Sequence, residues 1–371
     1  MGIKGGCMEL SYKGFEDSQF NIVEGMIDWV RVIDRNNNIL YANKKMCNDV
    51  GRIIEGEKCF RVLNKGDKCV DCISCLTLET GKVAKKEVVF NNKTYNVVSS
   101  PLKNNDGEII AAVEVFRDVT YAKELTRELN EKSKKMFSDI KFAKNMQSRM
   151  LPPKEIYNGL AIDYIYEPSE MLSGDIFDVY KINDQYTGVY ICDVVGHGVS
   201  ASLLTMFVRQ TLRTISKNQF NINKIMKELH KMFLSLNLDS DKYFSVFFSI
   251  YDKHTREFSY VNAGHNTSPI LISNNELSLL EAKGYPICNI FDNVEYEVAT
   301  IKLKLRDKLF FYTDGIVEAK DFNNEEFGEN RLIDIVKKGN NILLDVYDEV
   351  KKFSAGGLKD DCAIMLVEVV D

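Results

Sequence analysis

The chain has 371 residues, of which 45% are hydrophobic and 11% aromatic, a composition typical of a globular protein of about two domains. Its net charge of −6 argues against a general nucleic-acid binder, which would carry a basic face. No apolar run reaches the ~18 residues that a membrane span needs, and residues 1–20 lack the apolar segment of a secretion signal. We therefore expect a cytoplasmic protein with neither a membrane nor a nucleic-acid partner.

Residues 1–20 form a polar, Gly-rich segment that we expect to be a flexible tail, and residues 21–120 contain three predicted hairpins. The paired runs are 30–34 with 39–42, 86–90 with 93–99, and 101–103 with 108–116. Turn residues separate two β-rich runs in each pair. Antiparallel strands with one short helical stretch predict a small α+β domain.

Residues 121–151 contain no Gly or Pro before Pro152, which predicts one helix of ~45 Å. Apolar residues recur at every seventh position: Leu129, Met136, Ala143 and Met150. A second row of residues seven apart, which would lie beside the first in a coiled-coil seam, is half polar: Leu125, Lys132, Asp139 and Met146. One good seam favours a weak coiled coil, so we treat residues 121–152 as a helical linker and expect a homodimer through it. The end of this helix near Gln147 and Met150 is expected to pack on the next domain and to pass a signal to it. The alternative, a monomeric amphipathic helix on the next domain, stays open.

Residues 153–371 alternate strands with two helical segments, 200–217 and 222–236. Strand-like runs lie at 187–192, 244–251, 258–261, 269–272, 308–312 and 362–370. Some of these runs are apolar on both faces, which predicts buried strands in a stacked α/β arrangement.

Acidic residues stand at strand ends or beside turns of this C-terminal segment: Asp175, Asp193, Asp314 and the pair Asp360-Asp361. One such Asp alone is more often a turn residue or a helix cap. Asp193 and Asp314, however, both follow long apolar runs, so two buried strands would bring them to one rim at their carboxyl ends. Carboxylates gathered there repel one another unless a cation joins them, and hard oxygen ligands select Mg²⁺ or Mn²⁺.

Five segments, in this order, carry a resemblance to a known family: EPSEMLSGDIFDVY, ICDVVGHGVSASLLT, VNAGHNTSPILI, FFYTDGIVEAKD and LKDDCAIMLVEV. Together they resemble the bacterial SpoIIE/RsbU-type branch of the metal-dependent (type 2C, or PPM) serine/threonine phosphatases. The resemblance implies a β-sandwich flanked by helices over residues 153–371, with two Mn²⁺ or Mg²⁺ ions at one end. Departures from the common residues at Ser173, Val195, Ser200 and Ala363 remove no implied ligand.

The resemblance also implies roles for single residues. Asp193 would bridge both ions beside the backbone carbonyl of Val194, Asp314 and Asp360 would complete one site, and Asp175 would support the other. We choose Asp360 over its neighbour because it takes the family's first acidic position before the last strand. The implied reaction is attack of a metal-activated water on phosphoserine or phosphothreonine, with catalysis dependent on Asp193. The implied substrate is a phosphorylated anti-sigma-factor antagonist.

The predicted hairpins of residues 21–120, including DRNNNILYANKKM and NNDGEIIAAVEVFRDVT, resemble a PAS sensor domain. Within it lie Cys59, Cys69, Cys72 and Cys75, spaced C-x9-C-x2-C-x2-C. Two residues between cysteines let both sulfurs reach one metal, and three in series with a fourth upstream are closer to an iron–sulfur pattern than to zinc knuckles. An iron–sulfur cluster, Zn²⁺, and a metal-free thiol switch all stay open.

The sequence thus predicts a signal-regulated protein phosphatase in which a PAS domain, a helical linker and a phosphatase domain follow one another. The alternative is a non-enzymatic redox- or metal-sensing module whose C-terminal domain only binds a partner. Retention of Asp175, Asp193, Asp314 and Asp360 favours the enzyme.

Overall fold

The computed structural model describes residues 22–291, 294–339, 341–354 and 357–371, so the expected tail over residues 1–20 lies outside the described part. The chain divides into two compact units between Lys134 and Lys135. In the described ranges, no helix combines the length and the apolar character needed to cross a membrane.

The first unit is built on one antiparallel sheet with the strand order β2-β1-β5-β4-β3. The strands are β1 (Trp29–Ile33), β2 (Ile39–Ala42), β3 (Ala84–Phe90), β4 (Lys93–Lys103) and β5 (Ile109–Asp118). Helices α1 (Lys44–Val50), α2 (Cys59–Val62) and α3 (Ile73–Thr80) connect β2 to β3. The three predicted hairpins are confirmed, but the sequence predicted only one short helix. Segments of four to eight residues are too short to show an apolar period of 3.6.

Aromatic side chains fill the core of this unit. Trp29 stacks on Tyr95 with ring centroids 4.5 Å apart, and Phe90 and Phe116 pack around the indole ring. All four side chains are buried. Because they come from β1, β3, β4 and β5, this cluster holds the sheet together from one face.

A buried ion pair lies beside the aromatic core. Arg31 on β1 donates to the Glu114 carboxylate on β5, with a shortest separation of 2.7 Å, and both side chains are at most 4% exposed. The hydroxyl of Ser74 on α3 donates to the other Glu114 oxygen. The pair is thus fully hydrogen-bonded, as a buried charge requires, and it fastens α3 to the sheet.

Helix α4 (Thr120–Met150) is continuous for 31 residues and runs through the division between the two units. It coincides with the helix predicted over residues 121–151. Asp118 caps its start, because the backbone N–H and the hydroxyl of Thr120 both donate to Asp118 Oδ1. The heptad residues Leu129 and Met136 are exposed. The expected coiled-coil pairing stays a prediction.

The second unit contains two antiparallel sheets. The first has the order β15-β11-β10-β9-β8, with β14 also paired to β10, and the second has the order β13-β12-β16-β17-β7-β6. The first sheet comprises β8 (Asp175–Lys181), β9 (Tyr186–Val194), β10 (Tyr243–Asp252), β11 (Glu257–Ala263), β14 (Ile287–Cys288) and β15 (Ala299–Lys302). The second comprises β6 (Ile156–Tyr157), β7 (Leu160–Glu167), β12 (Ile270–Ser273), β13 (Glu276–Leu279), β16 (Lys308–Tyr312) and β17 (Cys362–Val369).

The two sheets stack face to face and helices cover both outer faces. The helices are α5 (Gly198–Ser216), α6 (Ile222–Leu234), α7 (Asp314–Val317), α8 (Gly328–Lys338) and α9 (Ile342–Phe353). Alternate residues of β8 face opposite ways: Ile176 packs with α5 and α6, whereas Phe177 and Val179 pack against Phe311 of the second sheet. Residues of β16 and β17 pack in turn with α8 and α9. The result is the helix-flanked β-sandwich that the family resemblance implied.

Antiparallel pairing corrects one step of the sequence argument. The sequence argument brought only Asp193 and Asp314 together, at the carboxyl ends of two strands in an α/β sheet. Asp193 and Asp314 do lie at strand ends, but Asp175 begins β8 and Asp360 precedes β17. Neighbouring antiparallel strands alternate start and end at one edge, so the edge collects both kinds of position.

Candidate metal centre

Two of the predicted site residues are direct cross-strand partners. Asp175 at the start of β8 is in register with Asp193 near the end of β9. Each shares its strand face with residues, such as Phe177 and Ile191, that pack between the two sheets. The two carboxylates therefore lie at one end of the sandwich, at the mouth of the space between the sheets.

The second sheet brings further carboxylates to this end. Asp314 opens α7 directly after β16, and Asp360 stands two residues before β17. Thr313 joins these segments, since its N–H donates to the Ala363 carbonyl at 3.1 Å and its hydroxyl accepts from the Ala363 N–H at 3.2 Å. Gly315 is required here, because a Cβ at that position would lie 2.0 Å from the carbonyl oxygen of Asp361.

The carboxylates are close enough to perturb one another's ionisation. Burial and the charges of Asp314 and Asp360 raise the pKa of Asp193 to about 7. Burial and the charge of Asp193 raise the pKa of Asp175 well above its usual range. The pKa of Asp360 is also raised, chiefly by burial. The site thus carries more negative charge than its surroundings stabilise, a condition that a cation relieves.

Asp360 and Asp361 differ in how far their carboxylates are already engaged. Asp361 is buried and accepts from the N–H and hydroxyl of Ser169, from the Ser173 hydroxyl and from the Gly174 N–H, all within 2.9 Å. Asp360 accepts from the Asp361 N–H at 2.8 Å. Asp361 therefore holds the loop before β8 in place through its hydrogen bonds. The carboxylate oxygens of Asp360 accept fewer hydrogen bonds and are better placed to bind a metal ion. This agrees with the choice of Asp360 made from the sequence.

Asn266 is a site residue to which sequence reasoning gave no role. Its side-chain amide donates to Asp314 Oδ2 at 2.7 Å and so fixes one orientation of that carboxylate. The loop that carries Asn266 is clamped by Asn262, whose side chain bonds both the N–H and the carbonyl of His265. The VNAGHN motif was the available signal, but only the folded loop shows which of its residues reaches an aspartate.

His197 and Glu170 pair at the rim of the site. The Nδ1 atom of His197 lies 3.1 Å from Glu170 Oε1, and both side chains are largely exposed. From the sequence alone, His197 in the ICDVVGHG segment can be either a proton donor to the leaving group or a residue that hydrogen-bonds its turn. The structure adds an acidic partner from the EPSEMLSGD motif, which restricts the orientation of the ring.

Gln147 joins the last turn of α4 to the site. Its side chain is 2% exposed, and its amide donates to the Ser173 carbonyl at 2.8 Å and to the Thr205 hydroxyl at 3.2 Å. Its carbonyl accepts from the Ser173 N–H at 3.1 Å. Ser173 also donates to Asp361 and accepts from the N–H of Asp175. A change in the last turn of α4 would thus act directly on the loop that positions Asp175.

The donor set fits a hard divalent cation. Asp175 Oδ2 is buried without a hydrogen-bond partner, although buried carboxylate oxygens are almost always satisfied. Across the described ranges, however, no three His, Cys, Asp or Glu side chains are already arranged to hold a metal ion. The oxygen ligands of the cluster therefore suit Mg²⁺ or Mn²⁺. Its side chains would have to change rotamer to coordinate a single ion together.

The cysteine cluster gives no such support to a metal. Cys59 is buried among the apolar residues of the first unit, whereas Cys69, Cys72 and Cys75 are half-buried. The sulfur of Cys75 lies 3.4 Å from Asn37 Oδ1, and that of Cys69 lies 3.5 Å from Lys65 Nζ. In the part of the chain described here, these cysteines form no metal-holding group. The expected iron–sulfur or zinc site is therefore unsupported.

Comparison with curated proteins finds relatives that match part of this chain. "Phosphoserine phosphatase RsbP" of Bacillus subtilis is 28% identical over 183 residues, which cover 48% of this chain and 45% of RsbP. "Phosphoserine phosphatase RsbU" of the same organism is 24% identical over 236 residues, which cover 62% of this chain and 70% of RsbU. The matched region thus spans less than half the length of RsbP.

A similar solved structure is the SiaA-PP2C domain of Pseudomonas aeruginosa, with a TM-score of 0.53 and 17% identity. The match covers 64% of this chain and 98% of that domain, so the two share a fold. The PAS domain model matches residues 24–121, and the model of Stage II sporulation protein E (SpoIIE) matches residues 183–370, half of the chain. The chain therefore belongs to the SpoIIE family, and a PAS domain precedes its SpoIIE domain in the sequence.

Proposed function

We propose that the chain is a signal-regulated, metal-dependent protein phosphatase that removes phosphate from phosphoserine or phosphothreonine on a regulatory partner. The observation that carries this proposal is the cluster of mutually repelling aspartates at the mouth of the sandwich, in which Asp175 is buried and Asp193 and Asp314 are half-buried. Membership of the SpoIIE family and the names of the relatives RsbP and RsbU support the same reaction.

The residues that would hold two Mn²⁺ or Mg²⁺ ions are those of the predicted set: Asp175, Asp193, the Val194 carbonyl, Asp314 and Asp360. Two bound ions would supply positive charge to the phosphoryl oxygens and lower the pKa of a water molecule that attacks phosphorus. Val194 is held in place because its N–H donates to the Gly174 carbonyl at 3.0 Å. A Cβ on Gly174 would lie 2.9 Å from the Val194 carbonyl oxygen, so only glycine permits this approach.

The surrounding residues orient the reacting groups. Asn266 fixes the Asp314 carboxylate, and Asp361 fixes the loop that leads into Asp175. His197, held by Glu170 at the rim, is the candidate that would donate a proton to the departing serine or threonine oxygen. A phosphorylated side chain that enters from solvent would meet this rim first.

Regulation is proposed to pass through α4. The PAS domain would bind or sense the signal, and the phosphorylated partner would be an anti-sigma-factor antagonist, as the resemblance implies. The exposed heptad positions Leu129 and Met136 support a homodimer formed by two copies of α4. The buried contacts of Gln147 give the helix a physical connection to the catalytic loop.

The test is hydrolysis of p-nitrophenyl phosphate and of a phosphoserine peptide by the full chain, with Mn²⁺ added stepwise to chelator-treated protein. We expect turnover that rises from background with Mn²⁺ and returns to background with excess chelator. Asp184→Asn, at an exposed turn, is the matched control and should leave turnover unchanged. Folded protein without metal-dependent turnover on either substrate would favour the alternative, a sensing module that only binds its partner.

A further inference from the structure

Three cysteines near the start of α3 have no part in the proposed phosphatase reaction. Cys72 is the N-cap residue of α3 and Cys75 lies in its first turn. The Cys72 side chain lies close enough to Cys75 to raise the pKa of its thiol. The two cysteines stand three residues apart on the first turn of the helix, the C-x2-C arrangement in which thiols can exchange with a disulfide.

The surroundings of these sulfurs are basic and half-exposed. The Lys68 ammonium group is hydrogen-bonded to Cys75, and Lys65 Nζ lies 3.5 Å from the sulfur of Cys69. Lys86 Nζ adds a third positive charge nearby, bound to the Asp71 carbonyl at 3.1 Å. Burial still raises the pKa of Cys75, and the charge of Lys68 offsets part of that effect. A partly exposed thiol beside cationic groups is accessible to oxidants.

The backbone that carries the pair is firmly anchored. Ser74, between the two cysteines, donates to the buried carboxylate of Glu114. Thr77, one turn later, donates to the Ser99 carbonyl at 3.2 Å. These bonds hold α3 on the sheet, so the two sulfurs remain neighbours. They also place the pair one hydrogen bond from β5, the strand that leads directly into α4.

We propose that Cys72 and Cys75 form a reversible redox pair that closes to an intramolecular disulfide when the protein meets a peroxide. The two thiols lose two protons and two electrons, and the S–S bond forms. The O–O bond of hydrogen peroxide breaks and both oxygens leave as water, so atoms and electrons balance. A dithiol reductant returns the pair to thiols by disulfide exchange.

The other cysteines of the cluster are poorer partners. Cys59 is 5% exposed in the apolar core, where burial raises the pKa of its thiol to about 11. Cys69 lies outside α3, beside Lys65. The pair is therefore specific, and this distinguishes it from random oxidation of exposed thiols.

The test uses the tryptic peptide of residues 69–82, which holds Cys69, Cys72 and Cys75 without an internal Lys or Arg. Reduced full-length protein is treated with hydrogen peroxide, unfolded, alkylated and digested. We expect the untreated peptide to carry three alkyl groups. The treated peptide should carry one alkyl group, on Cys69. Apart from that group, its mass should be about 2 Da below the mass of the reduced peptide, because the disulfide lacks two hydrogens. Dithiothreitol before alkylation should restore three.

Single substitutions supply the controls. Cys69→Ser should leave the disulfide intact, whereas Cys72→Ser and Cys75→Ser should each abolish it. Three alkyl groups after peroxide, or a bridge that includes Cys69 or Cys59, would overturn the proposal. So would one equivalent of zinc or iron that the wild-type protein retains and Cys72→Ser loses, because the sulfurs would then be metal ligands. None of these readouts depends on phosphatase activity.

Discussion

At the scale of single residues, the aspartate cluster destabilises the metal-free fold, because its negative charges repel one another. The same arrangement of charges suits the binding of a metal ion. Asp175 is buried and its register partner Asp193 is half-buried. Burial and the charge of Asp193 raise the pKa of Asp175, whereas burial and the charges of Asp314 and Asp360 raise the pKa of Asp193. Buried like charges persist in a fold when a function requires them. Asp361 shows the opposite case, because its hydrogen bonds satisfy the carboxylate completely.

The substitution Asp193→Asn separates the effect of this carboxylate on catalysis from its effect on stability. The amide keeps the shape but removes one charge, so we expect Mn²⁺-dependent turnover to fall by about 100-fold or more. The metal-free variant should unfold at the same or a higher temperature than the metal-free wild type, because repulsion is relieved. Asp163→Asn, an exposed residue of β7, is the control. Wild-type turnover by the folded Asn variant would refute the assignment of Asp193.

His265 provides a pH-dependent contribution to stability. Burial lowers its pKa from 6.5 to about 4, and the ring is hydrogen-bonded to the Thr267 hydroxyl at 2.9 Å. Its folded-state pKa is depressed, so the unfolded chain binds more protons between pH 6.5 and 4 and stability is lost as the pH falls through this window. From pH 8 to 5.5 the expected loss is about 1 kcal/mol.

The measurement is urea unfolding of the second unit at both pH values, with chelator present, in wild type and His265→Gln. The raised pKa values of Asp175 and Asp193 act in the opposite direction in both proteins, so the difference between them is the readout. At pH 5.5 relative to pH 8, the glutamine variant should be more stable than wild type by about 1 kcal/mol. His254→Gln, on an exposed turn, should retain the wild-type difference. Equal pH dependence in all three proteins would show that other groups dominate.

At the scale of elements, the end of α4 differs from its middle. Most of the helix is exposed, whereas Gln147 is buried and makes three hydrogen bonds to Ser173 and Thr205. The middle is therefore available for another helix, and the end belongs to the fold of the second unit. This division of labour makes α4 suitable as a signalling element.

Gln147→Leu tests that connection. Leucine fills a similar volume but leaves the N–H and carbonyl of Ser173 without their partner, so we expect a stability loss of about 2 kcal/mol. The loop before Asp175 should also loosen, and more Mn²⁺ should be needed for half-maximal turnover. Gln210→Leu, an exposed glutamine of α5, is the matched control. Unchanged metal dependence would mean that Gln147 only anchors the helix.

At the scale of the whole molecule, the question is how the signal reaches the catalytic end. If only α4 joins the sensor to the catalytic unit, the sensor cannot act by direct contact, and the signal has to pass along this helix. Two alternative ways of pairing α4 with its copy in a homodimer, similar in energy, would then serve as the switch. Lys132 and Asp139 occupy core-like positions of the imperfect seam and are exposed in the single chain. Polar residues at such positions reduce the stability of a coiled coil.

Replacing Lys132 and Asp139 together by Leu should strengthen one pairing. We expect a tighter dimer by light scattering and a turnover that no longer responds to the signal, at a constant high or low level. Substitution of Lys134 and Lys141, which lie off this seam, by Gln should leave the response intact. If the variant with both leucines is monomeric and still responds to the signal like wild type, α4 only connects the two units and does not transmit the signal.

Local chemistry along the chain was enough to predict the hairpins, the 31-residue helix and the five motifs. The signals were turn residues, the absence of Gly and Pro, and short strings of residues, four of which surround an Asp. The same signals failed for α8 and α9. The few apolar positions that they bury, such as Leu332 and Val346, become a pattern only against the outer face of the second sheet.

Tertiary structure decided what each site residue does. Antiparallel register placed Asp175 opposite Asp193, which no spacing along the chain reveals. Long-range hydrogen bonds separated Asp361, a brace, from Asp360, an available donor, although the two are adjacent in sequence. Folding likewise buried Cys59 in the apolar core of the first unit, whereas the other three cysteines of its motif are half-buried. Motifs specify which chemistry is present, whereas distances and burial, which depend on the whole fold, select the residues that perform it.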